Sequence, residues 1–287
     1  MEVVRSVAEL RRRLLDWRTA GERVALVPTM GALHAGHVSL LSRGRETAGR
    51  LCATIFVNPR QFGPTEDFAR YPRDEAGDLE TMASAGTDLV FAPAIREVYP
   101  ADFATEVRVT SELASILEGG ARPGFFTGVA TVVTKLLLQA LPDLALFGEK
   151  DYQQLLVIRQ LVRDLDIPVE VAGCPTVREA DGLALSSRNR FLADQERRRA
   201  PALHAALGEG ADALAGGADP AGVAAAGVSR LRDAGFDPVD YFEVRDAATL
   251  MPLPADWRSR GIAPRLLAAA RLGGTRLIDN VGLAAGR

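Results

Sequence analysis

Val24-Ala25-Leu26-Val27-Pro28-Thr29-Met30-Gly31-Ala32-Leu33-His34-Ala35-Gly36-His37 is the stretch on which the fold turns. Its first four residues form an apolar run, the pattern of a strand buried in a parallel sheet. After His37, the apolar residues Val38, Leu40 and Leu41 fall at helical spacing. A glycine-containing turn therefore carries two imidazoles from a strand end onto a helix N-terminus. Such a terminus presents unpaired N–H groups and a partial positive charge, and both suit a phosphate. His34 and His37 are three apart, so both face the same way on a helix that has begun by then. They are two of only three histidines in the chain. A metal is the other common use of paired histidines. No third histidine, cysteine or carboxylate lies nearby at ligand spacing, so no metal site is expected here. The strand–turn–helix context favours a nucleotide phosphate.

Working outward, strand-like runs at 24–28, 51–57, 88–92, 143–147 and 168–172 alternate with helical patterns at 6–19, 37–48, 74–85, 127–140 and 151–165. This alternation predicts an α/β fold: a Rossmann-like parallel sheet with helices on both faces. Ligands of such sheets bind beyond the carboxyl ends of the strands. The informative turns all follow strands: 28–37, Asn58-Pro59, and Phe147-Gly148-Glu149-Lys150-Asp151. After Pro175 the character changes. The turn Asp181-Gly182 leads to polar Leu185-Ser186-Ser187-Arg188-Asn189-Arg190, an Arg-rich helix at 194–207 and an Ala/Gly-rich helical region at 205–235. Alternating runs at 239–245 and 264–280 follow, the last broken by Gly273-Gly274, a hairpin signal. The expected division is a nucleotide-binding domain at 1–176 and a smaller α+β C-terminal lid domain at 177–287.

Composition bounds the function. The 287 residues are 47% hydrophobic and 25% charged, with a net charge of −3. No basic field exists to attract nucleic acid or an anionic membrane surface. No apolar run approaches the ~20 residues of a membrane helix, and Met1-Glu2-Val3-Val4-Arg5 lacks the plan of a signal peptide. Cys52 and Cys174 sit in or beside apolar runs and read as buried, reduced thiols, so a cytoplasmic location is expected. Of 34 basic residues, only Lys135 and Lys150 are lysine. In a chain so committed to arginine, a retained lysine points to a need for a compact point charge. Lys135, on a helix face, is equally well a residue without such a role.

Lys150 is better placed. It lies in Gly148-Glu149-Lys150-Asp151-Tyr152-Gln153-Gln154, at a strand-to-helix junction. A cation beside a helix N-terminus is disfavoured unless an anion joins it. Gly148 permits close backbone approach, and Asp151 suits an N-cap or a nucleoside contact. Gln154, one turn on, faces the same cleft. In Phe56-Val57-Asn58-Pro59-Arg60-Gln61-Phe62-Gly63-Pro64, the amides of Asn58 and Gln61 suit hydroxyls or a carboxylate at the site edge. For Asn58 a structural Asx turn competes evenly. The segment 66–73 reads as surface, or alternatively as a segment that closes over the site. Ser186-Ser187-Arg188 offers two hydroxyls and a guanidinium that can neutralise a triphosphate.

At these residues the chain closely resembles the pantothenate synthetase (pantoate–β-alanine ligase) family. The resemblance spans nearly the whole sequence and is carried by residues 28–37, 56–64, 147–154 and 181–189, with Gly128-Val129-Ala130-Thr131-Val132-Val133-Thr134-Lys135-Leu136. It implies a Rossmann-like, adenylate-forming enzyme of the His-x-Gly-His nucleotidyltransferases. ATP with Mg²⁺ and (R)-pantoate would give pantoyl adenylate and pyrophosphate; β-alanine would then displace AMP to give pantothenate. It implies a cytoplasmic homodimer, with no nucleic-acid or membrane partner. By matching position, Met30, Gly31, Ala32, Leu33, His34, Ala35, Gly36 and His37 would hold ATP, with His37 as proton donor. Gly148, Glu149, Lys150, Asp151, Val177, Leu185, Ser186, Ser187 and Arg188 would also contact ATP. Gln61 and Gln154 would bind pantoate, with Gln61 also near β-alanine. His37, His34 and Lys150 are the expected catalytic groups. One departure stands out: Phe125 in Pro123-Gly124-Phe125-Phe126 occupies a position where the family usually carries histidine. Two other readings remain on the residues alone: another His-x-Gly-His nucleotidyltransferase, such as a cofactor adenylyltransferase, or a nucleotide-binding protein without catalysis.

Overall fold

The computed structural model describes residues 1–64 and 66–283. The chain forms β1 (Glu2–Val4), α1 (Val7–Thr19), β2 (Val24–Thr29), α2 (Ala35–Thr47), β3 (Arg50–Ile55), α3 (Glu75–Ser84), β4 (Leu89–Phe91), the short α4 (Ile95–Val98) and α5 (Glu118–Ala121), α6 (Phe125–Ala140), β5 (Leu144–Gly148), α7 (Tyr152–Asp164) and β6 (Glu170–Cys174). The six strands are all parallel, in the order β1-β4-β3-β2-β5-β6. Alternation along β2 assigns the helices to faces, because successive side chains of a strand point opposite ways. Val24 and Leu26 join Leu10, Leu14, Val129, Val133, Leu155 and Ile158 in one core, beneath α1, α6 and α7. Ala25 and Val27 join Leu40, Leu41 and Met82 in the other, beneath α2 and α3.

The chain winds outward from β2 through β3 to β4, and from β5 in the opposite direction to β6. The order therefore reverses between β2 and β5, which pair through Ala25–Leu144 and Leu26–Ala145. A crevice opens beyond the carboxyl ends at such a reversal, and nucleotides bind there in this class of sheet. The turns after β2 and β5 are those that carry the histidine pair and Gly148-Glu149.

Contacts divide the chain into two units, Met1–Glu149 with Gln154–Pro175, and Lys150–Gln153 with the chain from Thr176 onward. The second contains α8 (Asp194–Arg199), α9 (Ala202–Ala215), α10 (Pro220–Asp233), β7 (Val239–Asp246), β8 (Pro264–Leu272) and β9 (Thr275–Gly282). Its strands form an antiparallel sheet in the order β7-β8-β9, with Gly273-Gly274 as the β8–β9 turn. Leu203, Leu207, Leu231, Phe236, Phe242 and Leu266 make its core. Residues 284–287, the end of the expected second domain, lie outside the described residues.

Several expectations need correction. β1 is an edge strand of three residues, too short to leave a periodic signal. The expected helix 194–207 is two helices, parted around Pro201, whose nitrogen has no hydrogen to donate. The segment 66–73 is not simply surface: Tyr71 is buried and, with Phe68, packs edge-on against Phe62. Cys52 and Cys174 are both free and buried. Burial, helped by nearby Asp88, pushes the Cys52 thiol up to about 12, so it stays protonated and inert. Among the described residues, no helix is long and apolar enough to cross a membrane.

Candidate active site

In the first unit, the expected residues of the histidine turn lie at the end of β2. Thr29 Oγ1 donates to Thr54 O at 2.6 Å and accepts from Gly31 N, closing the strand end. Gly31 and Ala32 then both take positive φ, 78° and 52°. That reversal aims the N–H groups of Ala32 and Leu33 at Asp78, whose two carboxylate oxygens accept them at 2.8 Å each. A Cβ on Gly31 would lie 2.6 Å from Asp78 Oδ2, so only glycine fits. Asp78 is 5% exposed, and nothing in the sequence near the turn pointed to it.

The helix that follows is capped by the histidines themselves. His34 is the N-cap of α2, and its Nδ1 accepts from Gly36 N at 3.2 Å. His37, at the third helical position, accepts from His34 N through its own Nδ1 at 3.3 Å. This is the reciprocal geometry of a capping box, with imidazoles in place of hydroxyl and carboxylate. It corrects the expectation of unpaired N–H groups. Those of Gly31, Ala32, Leu33, His34, Gly36 and His37 all have partners within the protein. With both Nδ1 atoms accepting, each neutral ring carries its proton on Nε2. The rings lie 4.2 Å apart. What the turn offers an anion is imidazole N–H and the α2 dipole, rather than a nest of main-chain amides.

At the end of β3, Asn58 is 1% exposed and fully engaged. Its Oδ1 accepts from Arg60 N and from Tyr99 Oη, and its Nδ2 donates to Gln61 Oε1 and Gly128 O. The Asx turn is therefore present, and the buried amide faces protein, not solvent. Asn58 orients Gln61, whose Nε2 in turn lies 3.0 Å from Met30 Sδ. A residue expected at the acid and one expected at the nucleotide thus touch. Gly128 permits this packing, since a Cβ there would come within 2.0 Å of Arg60 O.

Phe125 has a role of its own. Arg122 stacks on its ring at 3.7 Å, pairs with Glu66 and donates to Gln61 O. A cation–π contact holds the loop at the position where histidine was expected. Lys135 is likewise spent on packing, its Nζ 4.5 Å from the Phe103 ring, and burial lowers its pKa. Gly148 ends β5, and a Cβ there would meet nothing within 4 Å. Packing within the protein thus does not demand glycine at that position. Glu149 follows in a short 3-10 turn, and Gln154 lies half-buried on the first turn of α7.

The second unit carries the remaining expected residues. Val177 and Leu185 face each other across a hairpin, Leu185 N donating to Val177 O at 3.0 Å. Arg178 and Ala184 bridge just inside them. Ser186 Oγ accepts from Arg188 N, starting a 3-10 turn that contains Ser187 and Arg188. Lys150 Nζ lies 3.6 Å from Asp151 Oδ1. Asp151 thus sits in a 3-10 turn beside the lysine, before α7 begins at Tyr152. Among the described residues, no three His, Cys, Asp or Glu side chains come together as a metal site.

Comparison with known proteins gives the family. The profile of the pantoate-beta-alanine ligase family matches residues 2–282. The chain belongs to the pantoate–β-alanine ligase family. It is 59% identical to the pantothenate synthetase of Paramagnetospirillum magneticum, over 99% of this chain and 98% of that one. Against the pantothenate synthetase of Caulobacter vibrioides it is 52% identical, over 98% of each. The crystal structure of pantothenate synthetase from Thermus thermophilus superimposes with a TM-score of 0.92 at 48% identity, covering 99% of both chains. Pantoate-beta-alanine ligase from Francisella tularensis, complexed with beta-gamma ATP and beta-alanine, superimposes with a TM-score of 0.82 at 31% identity, covering 100% of this chain and 99% of that one. As a family member, this chain is a pantothenate-forming ligase.

Proposed function

We propose that the chain condenses (R)-pantoate with β-alanine in two steps, each with residues in assigned roles. First a pantoate carboxylate oxygen attacks the α-phosphorus of ATP in line, and pyrophosphate leaves. A carboxylate is already nucleophilic at neutral pH, so this step needs positioning and charge stabilisation rather than a general base. His34 and His37 donate from Nε2 to the phosphates, with His37 as proton donor. Lys150 and Arg188 supply positive charge, and Ser186 and Ser187 add hydrogen bonds. Residues 30–37, 148–151, Val177 and 185–188 form the ATP contacts. Magnesium arrives as part of the MgATP substrate, held largely by phosphate oxygens and water. Gln61 and Gln154 bind pantoate, with Asn58 acting through Gln61. Then the β-alanine nitrogen attacks the acyl carbon, AMP leaves with the bridging oxygen, and one proton is released. We assign the enzyme to the cytoplasm as a homodimer.

The observation that supports this reading is the contact between Gln61 and Met30, which joins an amide suited to a carboxylate to a turn suited to phosphate. The order of bond-making is testable by atom tracking. Pantoate labelled with ¹⁸O in its carboxylate should deliver one label to AMP. Label recovered in inorganic phosphate would mean an acyl phosphate, and would overturn the adenylate route.

A further inference from the structure

Asp279 and Asn280 are neighbours on β9, an edge strand of the second unit, and both are buried, at 3% and 6% exposure. Successive strand side chains point to opposite faces, so the pair reaches two different segments. Asp279 shares its face with Leu277 and Val281, which belong to the apolar core. A carboxylate on that face needs partners to offset its burial. Arg178 supplies them bidentately, at 2.6 and 3.0 Å, and His204 Nδ1 stands 3.5 Å away. Arg178 also donates to Gly182 O and Asn280 O, which fastens the Val177–Leu185 hairpin to the strand. From the other face, Asn280 Nδ2 donates to Lys150 O at 2.9 Å. The same short segment is tied down again at Tyr152, whose hydroxyl donates to Ala247 O and whose ring lies 3.5 Å beneath the Arg265 guanidinium.

We propose that Asp279 and Asn280 are positioning residues of the ligase: one strand sets, from its two faces, where Lys150 and the Val177–Arg188 segment stand for the triphosphate. Neither side chain touches a reacting atom. Asn280 acts through the Lys150 backbone, and Asp279 acts through Arg178 on the loop that ends in Ser186, Ser187 and Arg188. The proposal rests on the role assigned above to Lys150 and Arg188. Its specific content is that a change at position 280 is felt through Lys150 and leaves pantoate binding alone, since Gln61 and Gln154 belong to the other unit.

A double-mutant cycle tests it, read as pantoate-dependent exchange of labelled pyrophosphate into ATP. Asn280→Asp keeps shape but sets an acceptor against the Lys150 carbonyl. It should lower kcat by about 10- to 100-fold, the scale of an ångström-sized misplacement, with pantoate KM unchanged. Asn280→Asp added to Lys150→Ala should cost nothing further. Asp279→Asn should raise the KM for ATP while leaving that for pantoate unchanged, and Arg178→Lys should raise it too, because lysine loses the fork that grips the carboxylate at two points. Losses at positions 280 and 150 that multiply, or an Asn280→Asp enzyme with wild-type kcat, would overturn the positioning role. If Asp279→Asn fails to fold, the cycle at positions 150 and 280 still decides. No exchange in the wild-type protein would instead overturn the ligase reading beneath it.

Discussion

The two histidines at the end of β2 do structural work through one nitrogen of each ring. Each Nδ1 caps α2, which fixes the orientation of the ring and puts the proton of the neutral form on Nε2. The i, i+3 spacing, legible in the sequence as a shared face, is also the N-cap-to-N3 spacing of a capping box. Sequence reasoning placed the histidines on the turn and missed how the turn is satisfied, because the acceptor for its amides, Asp78, comes from a helix remote in sequence. The same is true of Asn58. An amide at a strand end reads equally well as ligand or as turn, and only Tyr99 and Gly128, both distant in sequence, decide it. For Lys150 the proposal rests on charge: a lysine beside a helix start, next to Asp151. Lys150→Ala should lower pantoyl-adenylate formation by about 10²–10³-fold, the range for a lost transition-state stabiliser, in a single-turnover pyrophosphate assay. A loss under about threefold would remove it from the phosphate site.

Among the elements, the buried parallel strands and the amphipathic helices were legible because apolar periodicity records burial directly. What it does not record is a strand of three residues such as β1, or a break such as Pro201 that splits one helical pattern in two. Nor does it show contacts made by the absence of a side chain. Gly128 lets α6 approach the turn after β3 so closely that its carbonyl accepts from Asn58. Gly128→Ala must push α6 and that turn apart, and overpacking of this kind costs about 1–3 kcal/mol. Urea denaturation should show the loss, and the KM for pantoate should rise with it because Gln61 rides on the displaced turn. Wild-type stability in that variant would mean that the two segments are not in close contact.

For the whole molecule, the two units are held by different means. The first has apolar cores on both faces of its sheet, whereas the second places a charged group on the core face of β9. Burial alone would raise the Asp279 carboxyl, but His204 and Arg178 outweigh it and hold the group below the ordinary carboxylate value of 3.8. Unfolding therefore takes up a proton in acid. The contribution is complete above 3.8 and is lost as pH falls through the lowered value. Asp279→Asn should flatten the acid limb of the stability-versus-pH curve; an unchanged limb would show that other carboxylates set it. The fold class was legible from the alternation of strands and helices, and the family from motifs spread along the chain. The place of Lys150 was not, because by contact it belongs to the unit formed largely by residues far along the sequence. The most direct test of the account is AMP release by the purified protein given MgATP and (R)-pantoate, with and without β-alanine. The account predicts sustained AMP and pantothenate formation, in equal amounts, only when both acids are present. Sustained AMP release without β-alanine, or ATP binding with no turnover under any combination, would contradict it.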